Sequence, residues 1–258
     1  MAYPNVIFGP ESEAFNTYAR QSNPGNLGSG GPIARLHVQP LGVQLVVGSG
    51  RKYRFAAAGS ATLVVGNMLV AGVATASQQN LTPAAGAVGD RIITLTTGAA
   101  TIANVFSEGF AHCSVTPGGG DTYVIASHAL MTAGAGDIVN LAPGHALRTA
   151  ITTSTRIDLI DNPFSRVIQV PATTVASCPV GLAVSAPITL RGCWIQTRGP
   201  GAVLGSGTLI AGDVVGTGLG AAGAAGPIAA LATQPIMGWA MLAAASGAWS
   251  LIYLTIDG

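Results

Sequence analysis

The 21 residues Ile236-Met237-Gly238-Trp239-Ala240-Met241-Leu242-Ala243-Ala244-Ala245-Ser246-Gly247-Ala248-Trp249-Ser250-Leu251-Ile252-Tyr253-Leu254-Thr255-Ile256 carry no charge. How they are read decides the fold. Their length meets the requirement for a helix that spans a bilayer. Inserted helices normally carry flanking Lys or Arg, but here the last basic residue is Arg198 and the stretch from Val214 onward is charge-free to Ile256. Ala245-Ser246-Gly247 interrupts the run like a turn, with apolar Ile236–Leu242 before it and Trp249–Ile256 after. The segment therefore reads as a β-hairpin, and no membrane span is expected.

Working outward, the rest of residues 171–258 repeats this style. Ala202–Leu204, Thr208–Ile210 and Val214–Val215 read as further short strands. Between 41 and 170 the runs Leu41–Val47, Leu63–Val70, Arg91–Thr96, Tyr123–Ser127, Arg156–Ile160 and Val167–Val170 are rich in β-branched residues, and Gly, Pro or Asp turns separate them. Ile93 and Leu95 alternate with Thr94 and Thr96, and Ile157 and Leu159 flank Asp158. That period of two places the apolar set on one sheet face. Pro171, Pro179 and Pro187 crowd a junction. The expected fold class is all-β: two small β-barrel or sandwich domains, 41–170 and 171–258, preceded by an extended N-terminal arm, 1–40.

The arm is broken by Pro4, Pro10, Pro24, Pro32 and Pro40 and by the run Gly28-Ser29-Gly30-Gly31, leaving only Glu11–Arg20 for a short helix. It also holds Tyr3, Phe8, Phe15 and Tyr18, four of the chain's six Phe and five Tyr residues. Aromatic anchors on such a segment suit a strap that packs on another subunit. Packing onto the chain's own first domain suits them equally. Tyr3, Phe8, Phe15, Tyr18, Arg20 and Arg35 are the candidate contact residues.

Charge is scarce. Lys and Arg number 11 and Asp and Glu 10, so 8% of residues are charged, against roughly 25% in ordinary domains. A net charge of +1 gives no general attraction to nucleic acid or anionic lipid. High hydrophobicity with low net charge excludes the disordered class. An isolated domain normally keeps about a quarter to a third of its surface charged, so a covering partner is the simplest explanation. The only lysine is Lys52, and interfaces favour arginine over lysine, although a GC-rich genome produces the same Ala, Gly and Arg bias.

Signatures of chemistry are thin. Gly218-Leu219-Gly220-Ala221-Ala222-Gly223 matches GxGxxG, but a dinucleotide site needs an acidic residue about 20 positions on. None lies between Asp213 and Asp257, so a loop between strands is expected. His37, His112, His128 and His145 are scattered. His112 and Cys113, as neighbours on a strand, would point to opposite faces. Asp90, Asp121, Asp137, Asp161 and Asp213 all sit beside glycine or Asn-Pro, where Asp stabilises turns by local hydrogen bonds. Cys113, Cys178 and Cys193 read as small buried apolar residues of a reducing compartment. Arg51-Lys52-Tyr53-Arg54-Phe55 interleaves cations with aromatics in a way that could follow single-stranded nucleic acid. An edge strand or an intersubunit contact is the simpler reading. No catalytic residues, metal or cofactor are expected. The Met1-Ala2-Tyr3-Pro4-Asn5 start does not read as a signal peptide.

Three stretches carry a family resemblance: Thr208-Leu209-Ile210-Ala211-Gly212-Asp213-Val214-Val215, Gln234-Pro235-Ile236-Met237-Gly238-Trp239-Ala240 and Leu251-Ile252-Tyr253-Leu254. Together they resemble the capsid cement, or head decoration, proteins of tailed bacteriophages, over about the last 60 residues. The resemblance implies a non-enzymatic virion protein, assembled in a bacterial host's cytoplasm. It would form a homotrimer on the outer capsid surface and pin neighbouring copies of the major capsid protein. The alternative class is a tail or head-fibre component that attaches to host glycans.

Overall fold

The computed structural model describes residues 6–15, 17–18, 39–173, 175, 177–189, 191–218, 220–229 and 234–257. Among the described residues 43% lie in strands and bridges and 4% in helix, so the fold is all-β, with its sheets in a sandwich and a curled half-barrel. In chain order the strands are β1 (Val6–Phe8), β2 (Thr17–Tyr18), β3 (Gln44–Val46), β4 (Lys52–Ala57), β5 (Met68–Val70), β6 (Thr82–Pro83), β7 (Ile92–Thr96), β8 (Phe110–Val115) and β9 (Thr122–His128). They continue as β10 (Gly136–Leu141), β11 (Arg156–Ile160), β12 (Ile168–Gln169), β13 (Pro179–Ala183), β14 (Gly192–Leu204), β15 (Val214–Thr217), β16 (Ala225–Pro227), β17 (Ile236–Ala240) and β18 (Trp249–Thr255).

The chain divides into two compact units, and not where composition placed the boundary. One unit takes the described residues up to 73 and those from 163 onward; the other takes 74–162. The expected cut at 170/171 fails because strand pairing crosses it: β5 pairs with β13, and β4 pairs with β14. Pro179, which looked like linker punctuation, opens β13. The first unit is thus discontinuous in sequence and carries the second as an insertion.

The inserted unit is a six-stranded sheet in the order β11-β8-β9-β10-β7-β6. It curls on itself, because Leu81, next to β6, exchanges two backbone hydrogen bonds with Ile157 of β11, at 2.9 and 3.0 Å. Its interior holds the alternating residues Ile93 and Leu95, Ala111 and Cys113, Tyr123 and Ile125, and Ile157 and Leu159. The period of two read in β7 and β11 is therefore real burial.

The discontinuous unit is built on a path β1-β3-β4-β14-β18-β17-β15-β16, with β2, β5, β12 and β13 joined to its side. Its centre is β14, 13 residues long, which pairs with β4 at one end and β18 at the other. A strand containing Gly199-Pro200-Gly201 needs help, since proline removes a ladder donor and glycine marks a kink. Buried Gln196 supplies it: its Nε2 donates toward the carbonyls of Arg198, Gly199 and Pro200 at 3.1, 3.2 and 2.8 Å. Where β4 meets β14, Trp194 packs edge-on against Phe55, with ring centroids 5.2 Å apart.

The described part of the N-terminal segment belongs to this sheet. β1 lies parallel to β3, and β2 pairs with Gly192 and Cys193 of β14. Glu11–Phe15 forms a 3-10 turn whose Ala14 is fully buried against Leu45, Tyr53 and Trp194. Residues 6–15 and 17–18 are thus not a free strap, because β-pairing and the Ala14 contact hold them on their own domain.

Candidate functional site

The candidate contact residues separate once placed. Phe8, at the exposed end of β1, is 80% accessible, and Phe15, at the end of the 3-10 turn, is 52% accessible. Tyr18 lies in β2, its backbone opposite Gly192. Tyr3, Arg20 and Arg35 lie outside the described residues. Phe8 and Phe15 therefore present aromatic surface from a segment whose backbone is fixed.

The basic-aromatic stretch does not form a nucleic-acid groove. It is β4, a central strand between β3 and β14 rather than an edge. Tyr53 and Phe55 are fully buried, and burial pushes the Tyr53 hydroxyl up to about 12. Arg51 pairs with Glu11. Arg54 grips Asp257 in a two-pronged contact, Nε to Oδ2 at 2.7 Å and Nη2 to Oδ1 at 2.9 Å. Thr197 and Gln44 also donate to Asp257 Oδ2, at 3.0 and 3.2 Å. Burial alone would raise the Asp257 pKa, but these hydrogen bonds and the Arg54 charge outweigh it and hold the carboxyl below its ordinary range. Arg51 and Arg54 are thus committed to closing the fold.

The other titratable groups have structural work. His128 is buried, with Nδ1 2.8 Å from the Ala129 carbonyl and Nε2 accepting from the Phe106 N–H at 3.1 Å. Asp90 and Asp213 cap their turns by accepting from the N–H groups of Ala87 and Ile210, both at 2.8 Å. Burial pushes the Cys193 thiol up to about 12. Burial, with Asp121 nearby, takes Cys113 to about 11. Cys178, expected to be buried, is exposed just ahead of β13. Gly218 and residues 220–223 are a loop in the β15–β16 hairpin, and no helix follows it. Among the described residues, no group of three His, Cys, Asp or Glu side chains gathers into a metal set, and no helix is long and apolar enough to cross a membrane.

The surface that stands out was only half visible in sequence. In the β17–β18 hairpin one set of residues, Met237, Ala240, Ile252 and Leu254, enters the core with Val203 of β14 and Val215 of β15. Where one face of an antiparallel sheet meets water, the other set is normally polar. Here it is not. The register sets Tyr253 opposite Trp239 on one side and Pro200 on the other, and Trp239 opposite Val214. Leu251 stands opposite Ala202 and bonds through its carbonyl to the Met241 N–H at 2.8 Å; Trp249 stands opposite Leu204. Trp239, Trp249 and Tyr253 are 49%, 58% and 37% exposed. The Trp249 ring lies over Gly66, which has φ +79° and no room for a side chain. From Pro200 to Leu204 on β14, from Trp249 to Tyr253 on β18 and across β17 this outer face bears no charge; one row further, Arg198 stands opposite Thr255. All three tryptophans were expected in strands, but the sequence alone could not show that two of them face outward, because both sides of the hairpin are apolar.

The chain matches no protein-family model, no curated protein and no solved structure.

Proposed function

We propose that the chain is a non-enzymatic structural protein of a bacteriophage virion, located on the outer capsid surface, where it stabilises the junctions between copies of the major capsid protein. The observation that carries this reading is the sheet that is apolar on both faces in a chain with 8% charged residues. Such a surface is costly in water and stable when covered. Exposed Phe8, on β1 at the end of the strand path that runs through β14 to β18, and exposed Phe15, on the 3-10 turn that follows β1, supply a second foothold. Several modest contacts on one rigid assembly gain avidity through effective concentration, commonly about 10²–10⁴-fold. That is how a protein without chemistry reinforces a shell. The resemblance of residues 208–215, 234–240 and 251–254 to capsid cement proteins supports the same reading.

Co-sedimentation with expanded shells that lack this protein tests it. Saturable pelleting with the shells is expected; protein that stays in the supernatant at every shell concentration overturns the reading.

Glycan attachment, as in a tail or head fibre, is the second reading, and Trp239, Trp249 and Tyr253 on one face favour it. Specific small-ligand sites combine apolar surface with a few placed polar groups. Along the rows of this face the polar side chains are those of Tyr253, Thr255 and Arg198, the last two paired at one end of it, so the capsid reading is preferred.

A further inference from the structure

We infer that the discontinuous unit carries a carboxylate-binding site, a cavity in which Arg166 receives the carboxylate of an acidic side chain or of a small free acid. The inference stands independently of the capsid reading. The cavity, of about 180 Å³, is lined by Gly59 and Ser60 after β4, Gly72 and Val73 after β5, and Arg166 and Ile168 at the entry to β12. One water needs roughly 10–15 Å³, so a carboxylate with a short stem has room. All six residues belong to the same unit.

The backbone holds Arg166 in place. Its φ is +54°, in the left-handed region that residues other than glycine seldom occupy. Such conformations persist where the surrounding structure fixes them, and they gather at binding sites. Here the fixing is visible. The Ala57 N–H donates to the Phe164 carbonyl and the Val167 N–H to the Ala57 carbonyl, both at 2.9 Å. The Gly59 N–H donates to the Val167 carbonyl at 2.8 Å. The Arg166 carbonyl lies against Gly59 and Gly72, where a Cβ would come within 2.9 and 3.1 Å of it. Two glycines thus let three segments close around one arginine.

The chemistry of the lining selects the ligand. Among the described residues that line the cavity, Arg166 alone is charged. Burial strips water from its guanidinium and pulls its pKa down. A partly dehydrated cation attracts an anion more strongly than one in bulk water. The guanidinium fork matches a carboxylate through two parallel N–H···O bonds, and Ser60 adds a hydroxyl to the lining. Charge then separates the oxyanions. A phosphate monoester carries about −1.5 to −2 charges at neutral pH, which one guanidinium does not balance, whereas a carboxylate matches it one for one. Val73, 53% exposed, and Ile168 give apolar wall for the methylene stem of an acidic side chain.

Titration of the full chain with sodium acetate against sodium chloride, at constant ionic strength, tests the assignment. The arginine Nε–Hε signal that disappears in Arg166→Lys is expected to move saturably in wild type, with a millimolar dissociation constant. Acetate should also raise the unfolding midpoint over chloride, as a ligand of the folded state does. Arg166→Lys, which keeps the charge and loses the fork, is expected to weaken binding at least about 10-fold, and Arg166→Met to abolish it. Ser60 is exposed, so Ser60→Ala reads the site without endangering the fold; a loss of about 3–10-fold is expected, that of one hydrogen bond. The amide of N-acetylglutamate distinguishes the sources. Tighter binding than acetate assigns the carboxylate to an acidic side chain of a neighbouring protein, and equal binding to a free acid. An Arg166 signal that does not saturate overturns the inference. So does binding unchanged in folded Arg166→Met or in Ser60→Ala, or inorganic phosphate bound at least about 10-fold more tightly than acetate, a gap of about 1.4 kcal/mol.

Discussion

Asp257, the penultimate residue, joins β3, β4 and β14 through Gln44, Arg54 and Thr197. Its folded pKa lies below the unfolded value of about 3.9. A depressed carboxylate stabilises the fold above its unfolded pKa and loses that contribution as pH falls through the folded one. Asp257→Asn is therefore expected to cost about 1 kcal/mol at neutral pH, the upper range for a solvent-screened pair. The gap to wild type in urea unfolding should close below about pH 4; an equal gap at pH 7 and pH 3 would contradict the assignment. This role was not legible, because ion pairs between residues 203 positions apart leave no local pattern. The turn aspartates were legible, because Asp213 caps the turn of which it is itself a part.

Elements with a clean period of two, or with an obvious turn between apolar runs, were read correctly. The β17–β18 hairpin is one, its turn closed by Gly247 at φ +79°. Thr208–Ile210 is not a strand; it leads into the Asp213 turn, and Leu209 alone bridges, to Ala244. β13 was missed because Pro179 and Gly181 look like breakers. Gly181 is there for close approach, since a Cβ would come within 2.8 Å of the Gln196 carbonyl. The glycines that carry the family resemblance also have backbone reasons, each its own. Gly212 sits at φ +94° in the Asp213 turn, and a Cβ at Gly238 would collide with the Tyr253 backbone. Hairpin geometry demands both, which is why those motifs specify a sheet more firmly than a role. The two equal readings of the arm could not be separated in sequence, because the parallel pairing of β1 with β3 that holds its described part on its own domain joins segments 38 residues apart. Deleting it would unravel part of the sheet, so the test of its aromatics is substitution. Phe8→Ser with Phe15→Ser is expected to lower shell binding at least about 10-fold, the loss of an exposed aromatic contact pair, with the unfolding midpoint unchanged. Unchanged binding would remove these residues from the contact.

At the scale of the whole molecule, low charge has a structural counterpart. Arg51 and Arg54 are committed to ion pairs, and a sheet with apolar residues on both sides carries no charge on its outer face from the Pro200 row to the Leu204 row. The all-β class could be read from composition and periodicity. The insertion of residues 74–162 into a discontinuous unit could not, because only nonlocal strand pairing reveals it. The proposed function makes this chain a β scaffold whose apolar outer face is covered by neighbours on a virion. Electron microscopy of virions with and without this chain tests that most directly. Additional density at the junctions between capsomers on the head is predicted; density on the tail or its fibres, or none on the particle, would contradict it.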